Sequence, residues 1–139
     1  MDPDAIRRIH DSFAAQSMMA TLGATLDEVA AGCVRIVSPI LPTARQQQGA
    51  GHAGLTFALG DSAAGYAALT MLPLESEVMT AEIKINLLAP AVGDSLVATG
   101  RVIKPGKRLI VVTSEVHAEQ DGTQKLIAIL QGTMVPVPA

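Results

Sequence analysis

Aromatic side chains are almost missing from this chain: they make up 2% of its residues, with no tryptophan, one tyrosine and two phenylalanines. Few platforms therefore exist on which unpaired bases could stack. The formal net charge of −3 denies the chain the strong positive field of a dedicated nucleic-acid binder. A single cysteine, Cys33, cannot close an internal disulfide. That agrees with a reducing, cytoplasmic setting. The opening Met1-Asp2-Pro3-Asp4-Ala5-Ile6-Arg7-Arg8 is acidic where a secretory leader is basic and then apolar, so no export is expected. His10, His52 and His117 are scattered, and with one cysteine they offer no metal-ligand spacing; no metal and no cofactor is expected.

What the chain has is apolar residues, 49% of 139, enough for one domain spanning 1–139 with a core of its own. The longest apolar stretch, Ala53 to Leu72, approaches membrane-spanning length. Asp61 sits within it, and a carboxylate in mid-bilayer costs roughly 2.5–3.5 kcal/mol on insertion scales. Alanines and glycines stand where leucines would serve a lipid-facing helix. A buried helix of a water-soluble domain, outside any membrane, is the better reading.

Periodicity organises the remainder. Ile6, Ile9, Phe13 and Ala14 recur at helical spacing and predict one amphipathic helix from about Pro3 to Leu22, stopped by Gly23. Ala24–Ala30 and Cys33–Leu41 read as two strands around Ala31-Gly32, with Pro39 and Pro42 marking an irregular end. A polar loop over 42–51 leads into the long helix, which starts near His52 and ends before Pro73. From Val78 the period becomes two, with Thr80, Glu82, Lys84 and Asn86 alternating against Ala81, Ile83, Ile85 and Leu87. Turns then introduce Ser95–Ile103, Leu109–Ala118 and Lys125–Val135. Short connections favour an antiparallel meander of these last strands, wrapped on the long helix: an α+β architecture.

Asp61 is the most informative residue. It is the only formally charged side chain between Gly49 and Leu74, and its neighbours at helical spacing are Phe57, Ala58, Ala64 and Gly65. A carboxylate on such a face is paired, exposed by the packing, or held for chemistry. His52 opens the helix, among Gly49, Gly51, Ala53 and Gly54. A helix start presents unpaired N–H groups suited to an oxyanion, and small residues admit a ligand carbonyl; a simple capping histidine accounts for the residue as well. Nine positions from His52 to Asp61 span about 13 Å of helix. If both ends are catalytic, one reacting carbonyl must meet the helix start of one subunit and Asp61 of another.

The segment Gly-His-Ala-Gly-Leu-Thr-Phe-Ala-Leu-Gly-Asp-Ser-Ala-Ala-Gly-Tyr-Ala-Ala (51–68) resembles the helix motif of hotdog-fold thioesterases of the phenylacetic-acid-degradation (PaaI-like) type, which carries His-Gly-Gly and a carboxylate nine residues after the histidine. The resemblance continues through Thr80–Pro90, Gly93-Asp94, Gly100-Arg101-Val102, Gly106–Leu109 and Gln131–Met134, covering residues 15–137. It implies a hotdog fold, a homodimer with two active sites at its interface, further assembly into a homotetramer, and hydrolysis of an acyl- or aryl-CoA thioester to free acid and coenzyme A. Carried over by position, Asp61 is the general base or nucleophile, the Ala53 N–H polarises the thioester carbonyl, and His52 supports the helix start. Gln46 and Thr80 place the attacking water or the carboxylate. Gly54, Glu82, Leu87, Leu88, Ala89 and Pro90 contact the substrate, as does the basic turn Lys104, Pro105, Gly106, Lys107 and Arg108, whose charges suit coenzyme A phosphates; an ordinary solvated turn would look the same.

Two positions depart from the pattern. Ala53 replaces the middle glycine of His-Gly-Gly, adding a methyl group and strain if the backbone there had positive φ. Gln46 replaces the commoner asparagine. A hydratase of the same fold would carry an Asp–His pair in a short motif that this chain lacks. A non-catalytic acyl-CoA-binding or regulatory protein is the alternative from another class. The identity of the acyl group is not written in these residues.

Overall fold

The computed structural model describes residues 1–139. Helix α1, Pro3–Ala15, begins at Asp2, whose carboxylate accepts from the Asp4 N–H at 3.0 Å, and carries proline in its first turn, where no amide donor is needed. Helix α2, Ser17–Leu22, ends at Gly23 with φ 73°. The single helix expected over Pro3–Leu22 is thus broken at Gln16, which is extended at φ −80°, ψ 93°. The break lets Ile9 of α1 and Met19 and Leu22 of α2 all turn into the core.

Strands β1 (Thr25–Ala30) and β2 (Cys33–Pro39) form a hairpin around Gly32, whose φ is 70°. Helix α3, Ala53–Leu69, follows, and then β3 (Ser76–Leu87), β4 (Ser95–Lys104), β5 (Ile110–Gln120) and β6 (Thr123–Pro138). All pairings are antiparallel, in the order β1-β2-β4-β5-β6-β3. The expected meander holds for β4, β5 and β6. It fails for β3, which pairs with β6 at the far edge while β2 takes the place beside β4. The cause lies in the β3–β4 connection over 88–94. It is too long and proline-bearing for a tight hairpin, and Leu88 and Ala89 donate to the Ile127 carbonyl at 2.7 and 3.3 Å as it crosses the strand ends. One edge of β3 consequently has no partner within the chain.

The sheet curves around α3. Leu55, Leu59, Ala63 and Ala67 enter the main core with Ile36, Leu96, Val116 and Leu130. Ala64 and Ala68 close a smaller cluster with Ile110, Val112 and Met134. The alanine-rich composition of this helix has a direct cause: its backbone rests on β4 so closely that a Cβ on Gly100 would lie 2.2 Å from the carbonyl carbon and oxygen of Ala63. No helix is long and apolar enough to cross a membrane.

Gly100→Ala therefore forces α3 away from β4. Overpacking of this kind costs about 1–3 kcal/mol, so urea denaturation should give a clearly lowered midpoint. An unchanged midpoint would show that the helix does not bear on Gly100.

Candidate active site

The start of α3 is built by its preceding loop. Gly51 donates to the Ala91 carbonyl at 2.8 Å, and His52 donates its N–H to Ala44 at 2.9 Å. His52 is the N-cap: its Nδ1 accepts from the Gly54 N–H at 2.7 Å, which requires that nitrogen to be unprotonated. The Ala53 N–H makes no hydrogen bond in the chain and is left as the one unspent donor of this short stretch. Among non-glycine residues only Asp121 has positive φ, so Ala53 is helical without the strain that a glycine replacement could have carried. Ala53 lines a cavity of roughly 420 Å³ together with Gln46, Thr56 and the Leu87–Pro90 segment. The structure thus brings Gln46, Ala53, Leu87, Leu88, Ala89 and Pro90 together. Gln46 accepts from the Gln48 N–H and so also shapes its own loop.

Asp61 stands elsewhere. It is half-buried on the margin of α3 left uncovered by the sheet, in line with exposed Gly54 and Phe57 and half-buried Gly65. The Thr80 hydroxyl donates to Asp61 Oδ1 at 2.7 Å, leaving Oδ2 free. A β-bulge makes this contact. The register against β6 shifts between Thr80, opposite Met134, and Glu82, opposite Thr133, so Ala81 is an extra residue. Strict alternation would set Thr80 on the same face as Glu82, Lys84 and Asn86. The bulge turns Thr80 toward α3 instead. Glu82 points to the opposite face of the sheet, where it accepts from the Thr133 hydroxyl at 2.8 Å, apart from both Asp61 and the helix start.

Asp61 and Thr80 line a second cavity of roughly 180 Å³. Its lining also includes residues to which the motif reading gave no role: Ser12, Gln16, Ser62 and Tyr66. Tyr66 donates to Gln16 Oε1 at 3.3 Å and meets the Ser12 hydroxyl at 3.2 Å, while the Gln16 amide reaches Ser62 at 3.4 Å. Tyrosine in an apolar helix reads as core, and only the break at Gln16 reveals the polar group facing it. The exposed turn Lys104, Pro105, Gly106, Lys107 and Arg108 leaves the sheet at this same end: Ile110 pairs with Met134, which pairs with Thr80. It touches neither cavity.

The long helix wrapped by one curved antiparallel sheet, with its uncovered carboxylate and helix start, defines the hotdog class. The model of the thioesterase superfamily matches residues 48–125, and the chain belongs to that family. A thioesterase family protein of Silicibacter pomeroyi superposes with a TM-score of 0.95 at 38% identity, over 97% of this chain and 99% of that one. The Escherichia coli PaaI protein of the phenylacetic acid degradation operon shares the fold at a TM-score of 0.87, with 23% identity over 98% of this chain and 95% of its own. A Saccharolobus solfataricus protein bearing an esterase name is 39% identical over 84 residues, which are 60% of this chain and 53% of that protein. The chain thus matches about half the length of that curated relative.

Burial holds the Tyr66 phenol above its ordinary pKa; the hydrogen bond with Ser12 lowers it in part, and the charge of Glu77 raises it. An acid whose folded pKa is raised contributes stability that is fully present below its unfolded value, near 10, and lost as pH rises through the folded value. Tyr66 is the only tyrosine in the chain, so phenolate absorbance reports it alone. The native titration midpoint should lie above that of the denatured chain, and higher again in Ser12→Ala. A native midpoint at or below the denatured one would contradict this environment.

Proposed function

We propose that this protein hydrolyses acyl-CoA thioesters to free acid and coenzyme A, in the manner of the PaaI-like branch of its family. The observation that carries the reading is Asp61: a carboxylate fixed by Thr80 through one oxygen, with the other oxygen free beside a cavity. In the general-base route Oδ2 takes a proton from water while the water oxygen bonds to the thioester carbon. The carbonyl oxygen becomes an oxyanion that the Ala53 N–H receives at the positive end of α3. Collapse breaks the C–S bond, and the proton held by Asp61 passes to the departing thiolate. Direct attack by Asp61 on the carbonyl would break the C–S bond and release coenzyme A as a thiolate that takes a proton from solvent. It would leave a mixed anhydride that water opens to the acid and the regenerated Asp61 carboxylate.

About 12 Å of helix separates Ala53 from Asp61, and within the chain they face different cavities. A homodimer resolves this, with Ala53 of one copy facing Asp61 of the other. The unpaired edge of β3, bearing exposed Met79 and Leu87, is the place for a second copy to extend the sheet. Pairs of such dimers would make the tetramer. Gln46 and the Leu87–Pro90 segment would hold the coenzyme arm near the helix start, and Lys104, Lys107 and Arg108 would attract its phosphates. A cytoplasmic location, where coenzyme A thioesters are made and used, fits this reading.

Asp61→Asn keeps shape and removes both basicity and nucleophilicity. Free-thiol release from a panel of acyl-CoAs should fall by at least about 10²-fold, while bound acyl-CoA remains detectable by calorimetry. Near-normal hydrolysis by a folded Asp61→Asn protein would sink the proposal. Binding without hydrolysis by the unaltered protein would favour the non-catalytic alternative.

A further inference from the structure

We infer that the junction of α1 and α2, with Tyr66, is the wall that selects the acyl group, and that it favours a short acyl chain ending in a polar, uncharged group. The inference rests on the thioesterase reading for its reacting carbonyl, but its own evidence is separate.

Size comes first. The cavity beside Asp61, roughly 180 Å³, is smaller than the about 300–1,000 Å³ of common ligand pockets. It has room for an acyl tail and not for a coenzyme. Depth comes next. Tyr66 lies five residues beyond Asp61 on α3, a rise of about 7.5 Å. An extended acyl chain advances about 1.2 Å per single bond, so about five bonds bring its end within hydrogen-bond reach of that depth.

The chemistry at the far end is then set by its groups. The Tyr66 hydroxyl, the Gln16 amide and the Ser12 and Ser62 hydroxyls meet there at 3.2–3.4 Å, longer than strong hydrogen bonds of these types. They are mutually satisfied but weakly so, and a ligand hydroxyl can replace one of these contacts without stranding its partner. A methyl-ended tail makes no such replacement. A carboxylate-ended tail meets Glu77 on the same cavity wall, and an uncharged tyrosine.

The wall is also held in place. Arg8 of α1 donates Nη1 to the carbonyls of Pro73 at 2.6 Å and Ser76 at 3.2 Å, and Nη2 to those of Leu69 at 2.6 Å and Leu72 at 3.1 Å. This guanidinium gathers carbonyls from the last residue of α3, the connection after it and the first residue of β3, and fixes α1 against them. Phe13 packs on Tyr66 with ring centroids 6.0 Å apart. Gln16 therefore projects from an anchored element rather than from a loose terminus.

Three thioesters of equal backbone test the wall: pentanoyl-CoA, 5-hydroxypentanoyl-CoA and glutaryl-CoA. The kcat/KM of the hydroxylated substrate should exceed that of pentanoyl-CoA by about fivefold, the worth of one net hydrogen bond, and glutaryl-CoA should be the poorest. Tyr66→Phe should bring the hydroxyl-to-methyl ratio toward one, and Glu77→Gln should narrow the gap between pentanoyl- and glutaryl-CoA. Equal rates for all three, a preference for glutaryl-CoA, or a Tyr66→Phe loss of the same factor on every substrate would overturn the inference. The Kd of each thioester for Asp61→Asn separates it from the function it rests on. The same ranking in Kd without any hydrolysis by the unaltered protein keeps the wall and removes the hydrolase. Hydrolysis without ranking does the reverse, and absence of both binding and hydrolysis overturns the two together.

Discussion

The contact between the α3 backbone and Gly100 governs this molecule. A helix can rest that closely on a sheet only where both surfaces are nearly bare, and Ala63 and Ala64 meet a strand position that has no room for a methyl group. The same economy recurs at Gly60, where an added Cβ would stand 2.8 Å from Leu130 Cδ1. Pressed down along one side, the helix exposes the opposite stripe through Gly54, Phe57 and Asp61. The carboxylate is thereby kept at the rim of the core, within reach of Thr80, and is spared the desolvation that a fully enclosed charge would suffer.

A rigid helix also fixes a distance. Its N-terminus, pinned through Gly51 to Ala91, and its carboxylate, pinned through Thr80 to β3, cannot approach each other without breaking those bonds. Each end has instead gathered its own surroundings: the Gln46 loop and the Leu87–Pro90 segment at one, the α1–α2 junction at the other. In the proposed mechanism these are halves of one site rather than two sites. The unpaired edge of β3 is where the proposed second copy would join them.

Much of this was legible in the residues. The extent of α3 followed from its apolar run between Gly51 and Pro73, and the lone charge in that run drew attention to Asp61. The turn expected between the last two strands is a two-residue hairpin at Asp121-Gly122, and both residues have the positive φ, 51° and 79°, that such a turn requires. The pairing of β3 was not legible, because alternation identifies a strand without naming its neighbour. The bulge at Ala81 was hidden for a related reason: one extra residue reverses which face Thr80 joins, and only the opposing strand decides where that residue sits. Gln16 and Tyr66 escaped notice because their bond joins positions 50 residues apart, and each alone has an ordinary structural explanation.

The division of the site between two copies is the claim from which the rest of the functional account follows. It is tested most directly by mixing two inactive variants, Asp61→Asn and Gly54→Leu. The second crowds the helix start, since even a Cβ there would lie 2.9 Å from His52 Nδ1. After subunit exchange, a heterodimer contains one site with both defects and one with neither. The account predicts that thioesterase activity of purified heterodimers recovers toward half that of the unaltered protein. Stable heterodimers that remain inactive would place Asp61 and its oxyanion donor within one chain and contradict the role given to the start of α3.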